Sequence, residues 1–155
     1  MSAPKHVLFV CTGNTCRSPM AEGLFRKAVA TRPDYAVSSA GVSASKGSAA
    51  SPETVMILKK RGAALDKFGS RLVSKSILDE ATHVFAMTRD HLRILETRFP
   101  EHADKFHLVR EFSGGAGKDV PDPIGMGRAA YEETADVLDA AIPTIIAYID
   151  QTHKV

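Results

Sequence analysis

The feature that most constrains this chain is Cys11-Thr12-Gly13-Asn14-Thr15-Cys16-Arg17-Ser18, a cysteine and an arginine with five residues between them. The apolar run Val7-Leu8-Phe9-Val10 leads into it, and Pro19-Met20-Ala21-Glu22-Gly23-Leu24-Phe25, which reads as a helix, leads out. The pattern is strand, tight polar loop, helix. The first turn of a helix leaves its N–H groups without intrahelical partners and carries the positive end of the helix dipole. A loop wrapped over that end presents several donors to one tetrahedral anion. Gly13 admits close backbone approach, and Asn14 tolerates a left-handed conformation. Arg17 adds a planar fork of donors suited to phosphate oxygens, and Ser18 with Pro19 fits a helix entry. Thr12 to Ser18 thus read as an anion cradle with Cys11 at its floor. Such a field favours thiolate, the nucleophilic form, and a thiolate beneath a bound phosphoryl group is placed for in-line attack at phosphorus. Cysteine and arginine at this spacing arise often by chance, and a lone cysteine at a strand end is commonly core packing. The flanking strand and helix, with Gly, Asn and Ser at useful places, argue for chemistry. The loop lacks the Gly-Lys-Ser/Thr ending of a nucleotide-binding loop.

The bounds of the chain agree with an enzyme of this kind. Its 155 residues suit one domain, 1–155, with room for a sizeable core. A hydrophobic fraction of 44% and a charged fraction of 25% are ordinary for a globular protein. A net charge of +2 is too small to argue for nucleic acid or membrane partners. Met1 to His6 precede a short apolar run that soon meets polar residues, which reads as neither a signal peptide nor a membrane span. The two cysteines both lie in the loop, so a disulfide framework is not expected, and the protein reads as cytoplasmic with reduced thiols.

Strand and helix patterns alternate. The first helix is expected from about Pro19 to Ala30, with Ala21, Leu24, Phe25, Ala28 and Val29 on one face. Tyr35 to Ser39 read as a second strand closed by Ala40-Gly41, and Val42 to Ser51 as a Ser/Ala/Gly-rich loop. Ser51 caps a second helix with Pro52 at its first position, stopped by Gly62. Ser74 caps a short helix. His83 to Met87 form a third strand, and Thr88 caps a helix ended by Pro100. Phe106 to Val109 form a fourth strand. A last helix runs from about Met126 to Ile149 on a stripe of Tyr131, Leu138, Ile142, Ile145 and Ile149, with Pro143 expected to kink or split it. The expectation is a three-layer α/β domain. Its four-stranded sheet is parallel, with helices on both faces and the phosphate-binding loop after the first strand. Ligands in such folds sit beyond the carboxyl ends of the strands, where the Cys11 loop emerges.

A second chemical element is the Pro/Gly-rich loop Lys118-Asp119-Val120-Pro121-Asp122-Pro123-Ile124-Gly125-Met126-Gly127. A thiolate phosphatase needs a proton donor for its leaving group. Asp119 and Asp122 both qualify, and both also suit turns. His6, His83, His91, His102, His107 and His153 are scattered without paired ligand spacing, so they read as surface or packing residues. No metal and no cofactor are expected, since Arg17 and the loop N–H groups supply the charge stabilisation.

The run Val10-Cys11-Thr12-Gly13-Asn14-Thr15-Cys16-Arg17-Ser18-Pro19-Met20-Ala21-Glu22 resembles the signature of the low-molecular-weight protein tyrosine phosphatases. Thr at 15 looks most like their protein arginine phosphatase branch. The resemblance continues through Ser39-Ala40-Gly41, Ala86-Met87-Thr88 and Asp122-Pro123. It implies a protein phosphatase acting on phosphorylated proteins through a phosphocysteine on Cys11. Arg17 clamps the phosphoryl oxygens, and Asp122 is the general acid, because Asp-Pro is the family's acid motif. It also implies inorganic phosphate or a similar oxyanion in the loop, and a loop at 42–51 that borders the cleft. Oxidised Cys11 could pair reversibly with Cys16; otherwise Cys16 is a small loop residue.

The chain departs from the family pattern in two places. Many members carry a His two residues before the Ser of His-X-Ser-Arg, where this chain has Phe68-Gly69-Ser70-Arg71, which puts the wiring to Asn14 and Ser18 in question. Tyrosine-specific members carry aromatics after Asp-Pro and usually Ile at the position of Thr15; here Ile124-Gly125 follows Asp-Pro. Thr15 and Ile124 are therefore read as specificity positions, and phosphoarginine as the preferred substrate over phosphotyrosine. Arsenate reduction needs a further cysteine beyond the loop, and none follows Cys16. A non-catalytic phosphoprotein-binding module would need neither nucleophile nor acid.

Overall fold

The computed structural model describes residues 4–114 and 117–153; residues 1–3, 115–116 and 154–155 of the expected 1–155 unit lie outside the described residues. Four parallel strands form one sheet: β1 (Lys5–Cys11), β2 (Tyr35–Gly41), β3 (His83–Ala86) and β4 (Phe106–Leu108), in the order β2-β1-β3-β4. Helices α1 (Arg17–Ala28), α2 (Pro52–Lys60), α3 (Lys75–Glu80), α4 (Arg89–Arg98) and α5 (Arg128–Thr152), with a 3₁₀ turn at Pro100–Lys105, connect and follow them. The parallel α/β architecture expected from the alternating pattern is the one observed.

Both faces of the sheet are covered, which is why β1 is apolar at nearly every position rather than at alternate ones. Val7, Phe9 and Cys11 face a core shared with α1, α2 and α5. Leu8 and Val10 face a second core with Leu78 of α3 and Leu95 of α4. β1 lies between β2 and β3, so the loop leaving its carboxyl end emerges mid-sheet.

Three helix starts follow from side-chain caps. Ser51 Oγ accepts from Thr54 N at 3.3 Å, Ser74 Oγ from Ile77 N at 3.2 Å, and Thr88 Oγ1 from His91 N at 3.2 Å. α1 differs. It begins at Arg17 rather than near Pro19, and no described side chain caps it. Its first N–H groups therefore stay available to something held in the loop.

α5 runs unbroken through Pro143, so it does not split there. Pro143 faces solvent while Ala141, Ile142, Ile145 and Ile149 are buried, so packing holds the helix together across the missing N–H. No helix among the described residues is long and apolar enough to cross a membrane.

Candidate active site

The Cys11–Ser18 loop closes over the N-terminus of α1, and its shape depends on one residue in the left-handed region. Asn14 has φ 57°, which asparagine tolerates far better than most residues. Its side chain is consumed on every side. Nδ2 donates to Ser18 Oγ at 2.8 Å and to Ser39 Oγ at 2.9 Å, while Oδ1 accepts from Arg71 N at 3.0 Å. Ser39 in turn donates to Glu22 Oε1 at 2.6 Å, and buried Glu22 pairs with Arg26 at 3.2 Å. Ser18 Oγ lies 2.9 Å from Cys11 Sγ. With the Asn14 amide donating to Ser18, the Ser18 hydroxyl proton is free to point at the sulfur. The chain Glu22–Ser39–Asn14–Ser18–Cys11 thus answers the question raised by Phe68: Ser39 and Glu22 anchor the wiring where a histidine is absent.

The neighbouring loop at 42–51 borders the site. Val42 N donates to Cys11 O at 2.9 Å, Ser43 N to Thr12 O at 2.9 Å, and Ser51 N to Thr15 O at 2.8 Å. Gly41 allows this stitching, since a Cβ there would overlap the Thr12 carbonyl oxygen and stand 3.0 Å from Asn14 N.

Arg17 is buried, and its guanidinium holds the Pro/Gly-rich loop, residues 118–127. Nη1 donates to Val120 O at 3.1 Å, and Nη2 lies 3.7 Å from Asp122 Oδ2. Asp122 is 51% exposed at its side chain, and its Oδ1 accepts from Ile124 N at 3.1 Å in an Asx turn. Asp119 is engaged elsewhere: its Oδ1 accepts from Arg89 N at 2.9 Å at the start of α4. Geometry therefore brings Asp122, and not Asp119, to Arg17. Ile124 projects to solvent at 60% exposure on the same loop.

Thr15 is half-buried, with Oγ1 3.8 Å from Cys16 Sγ. Cys16 is buried, and its sulfur lies 3.4 Å from Tyr131 Oη. Burial first, and then the Cys16 contact, push the Tyr131 phenol up to about 12. Both cysteines are free thiols. A Cβ at Gly13 would meet nothing closer than Thr15 Oγ1 at 3.8 Å, so no described protein atom crowds that position.

Sequence reasoning placed His91 among scattered surface or packing residues. It is in fact buried at the site, with Nε2 2.7 Å from Thr12 Oγ1 and Nδ1 3.0 Å from Thr88 Oγ1. A usable signal was its place three residues after the cap of the helix that follows a strand neighbouring β1. Thr54, whose hydroxyl donates to Cys16 O at 3.3 Å, was also missed. Among the described residues no three His, Cys, Asp or Glu side chains are grouped as metal ligands.

The chain matches the family described as low molecular weight phosphotyrosine protein phosphatase over residues 6–155. It is 42% identical over 139 residues to a protein-arginine-phosphatase of Geobacillus stearothermophilus, covering 90% of this chain and 92% of the relative. The solved YwlE arginine phosphatase from the same organism superimposes with a TM-score of 0.87 at 39% identity, covering 96% of this chain and 94% of that one. A solved YwlE cysteine-to-serine mutant, described as having a phosphorylated active-site serine, gives a TM-score of 0.85 at 36% identity, covering 95% and 97%.

Proposed function

The chain belongs to the low molecular weight phosphotyrosine protein phosphatase family and is a protein phosphatase; from that premise we propose that it hydrolyses phosphorylated protein side chains through a phosphocysteine on Cys11, with phosphoarginine preferred. Cys11 Sγ attacks phosphorus. The S–P bond forms as the bond to the side-chain nitrogen breaks, and Asp122 delivers its proton to the leaving guanidine. Arg17 and the N–H groups of residues 12–18 hold the phosphoryl oxygens. Water then gives a proton to the Asp122 carboxylate and attacks phosphorus. The S–P bond breaks, and inorganic phosphate departs with the thiolate restored. The whole chain acts as one phosphatase domain, and its two free thiols suit the reducing cytoplasm.

The observation that carries this reading is the approach of Asp122 to Arg17, 3.7 Å at the rim of a loop whose floor is Cys11. A phosphoryl group entering the loop takes over the Arg17 donors, which frees the exposed carboxyl to take up a proton. The phosphorylated serine of the YwlE mutant supports attack by the residue at that loop position in a relative. Preference for phosphoarginine rests on Thr15, which offers a hydroxyl to a guanidinium where an Ile would offer an apolar wall to a phenyl ring, and on Ile124 in place of an aromatic platform.

The test compares phosphate release from phosphoarginine and phosphotyrosine peptides by the native protein and by Thr15→Ile. The native protein is expected to favour phosphoarginine, and the substitution to shift the ratio toward phosphotyrosine by roughly ten- to two-hundred-fold. A native preference for phosphotyrosine that Thr15→Ile leaves unchanged would overturn the substrate assignment.

A further inference from the structure

His91 is a buried polar residue that the chemistry above does not use. It sits in the first turn of α4, 5% exposed, and bridges two hydroxyls: Nε2 to Thr12 Oγ1 at 2.7 Å and Nδ1 to Thr88 Oγ1 at 3.0 Å. Thr12 immediately follows the nucleophile, 79 residues away in sequence. Burial first, and then the Arg17 charge, push the His91 pKa down to about 4, so the bridge is a neutral imidazole with one N–H and one lone pair. A neutral ring can donate to one hydroxyl and accept from the other, so both ring nitrogens are satisfied without a charge beside Arg17.

What this bridge holds is the residue that precedes the loop's glycine. Gly13 is the only glycine in the loop, and without a Cβ its backbone is intrinsically permissive. The direction of the Gly13 N–H depends on the peptide that precedes it. That peptide is pinned from one side by Ser43 N on the Thr12 carbonyl at 2.9 Å, and its residue from the other by His91 on the Thr12 hydroxyl. Thr88 fixes the imidazole in turn, since its hydroxyl also caps α4.

We infer that His91 is a positioning residue, clamping Thr12 through its hydroxyl so that the N–H groups following Cys11 face a bound phosphoryl group. This rests on the phosphatase reading of the loop. It predicts that His91 and Thr12 act as one unit: once the Thr12 hydroxyl is gone, the imidazole has nothing left to hold.

The experiment is a double-mutant cycle on the full chain with Thr12→Val, which removes the hydroxyl at an exposed position, and His91→Phe, which keeps a buried ring. Two readouts are taken: kcat/KM on an aryl phosphate, and the affinity for inorganic phosphate by calorimetry, which needs no turnover. Each single variant is expected to lose roughly five- to tenfold in both readouts, and the double variant to lose no more than the worse single one. Losses that multiply in the double variant would overturn the inference, as would native phosphate affinity in Thr12→Val, a measurement that stands even if His91→Phe fails to fold. Absence of turnover in the native protein with phosphate still bound would instead strike at the phosphatase reading, while the affinity cycle continued to judge the clamp.

Discussion

His83 and His91 stand at opposite ends of the same part of the fold, one opening β3 and the other in the helix that follows it. Both are buried, and burial is the main cause that pushes both to about 4. Their company differs. His83 has Nδ1 2.8 Å from Thr82 Oγ1 and its ring 5.2 Å from that of His153 and 6.4 Å from that of His107; those two histidines supply the next causes of its shift. His91 meets two hydroxyls and the Arg17 charge, one of those hydroxyls on the Cys11–Ser18 loop. A displaced pKa therefore marks burial at both ends. The partners, not the shift, separate a packing histidine from one wired to a reacting group.

Substitutions at the two ends sharpen that contrast. The largest effect is expected at the catalytic end: Cys11→Ser should lower turnover of an aryl phosphate by more than about a thousandfold, with the thermal midpoint near native. Retained turnover would remove the loop from the chemistry. Asp122→Asn comes next, with a loss of about 10²- to 10⁴-fold that is steepest for poor leaving groups. A loss equal across leaving groups in a Brønsted series would assign Asp122 a role other than proton donor. Ser39→Ala cuts the relay behind Asn14 and leaves Glu22 without its hydroxyl donor. We expect a stability loss of about 1–3 kcal/mol by denaturant unfolding, together with a fall in kcat, because the Asn14 amide loses one of its two acceptors.

The smallest effect belongs to the far end and is a matter of pH. The folded chain holds His83 and His91 neutral down to about 4, while an unfolded chain protonates them near 6.5. Between these values the unfolded state binds more protons, so their contribution to stability is complete above about 6.5 and is lost as the pH falls toward 4. His83→Asn should flatten the fall in denaturant midpoint between pH 7 and pH 5 and leave kcat at pH 7 unchanged. An unaltered slope would show that His83 is not the group taking up the proton.

Much of this was legible in the sequence because it is local. The loop declares itself in eight consecutive residues. Asn14 takes the left-handed conformation its side chain tolerates, and Ser51, Ser74 and Thr88 cap the helices they precede. The near-continuous apolar character of β1 reports a sheet covered on two faces. What escaped is what the chain brings together from afar. His91 is 79 residues from Thr12, Arg71 is 57 from Asn14, and no spacing rule joins them. Residue chemistry alone leaves Asp119 and Asp122 level; the Asp-Pro resemblance favours Asp122, and the docking of Asp119 on the α4 N-terminus separates them in space. The split that Pro143 suggested does not occur, because the buried stripe that holds α5 through it is a tertiary effect.

The central place of β1 has a consequence for how the protein is born. The strand that carries Cys11 precedes its partner β3, the Arg71 backbone that fixes Asn14, and His91, all of which come from much later in the chain. Pairings of such long range form slowly and cannot form until both halves exist. On the ribosome, Cys11 therefore emerges as an ordinary exposed thiol in an unstructured peptide. The loop around it is completed only once residues as far on as His91 have been translated, so its geometry arrives with the rest of the fold and not before it.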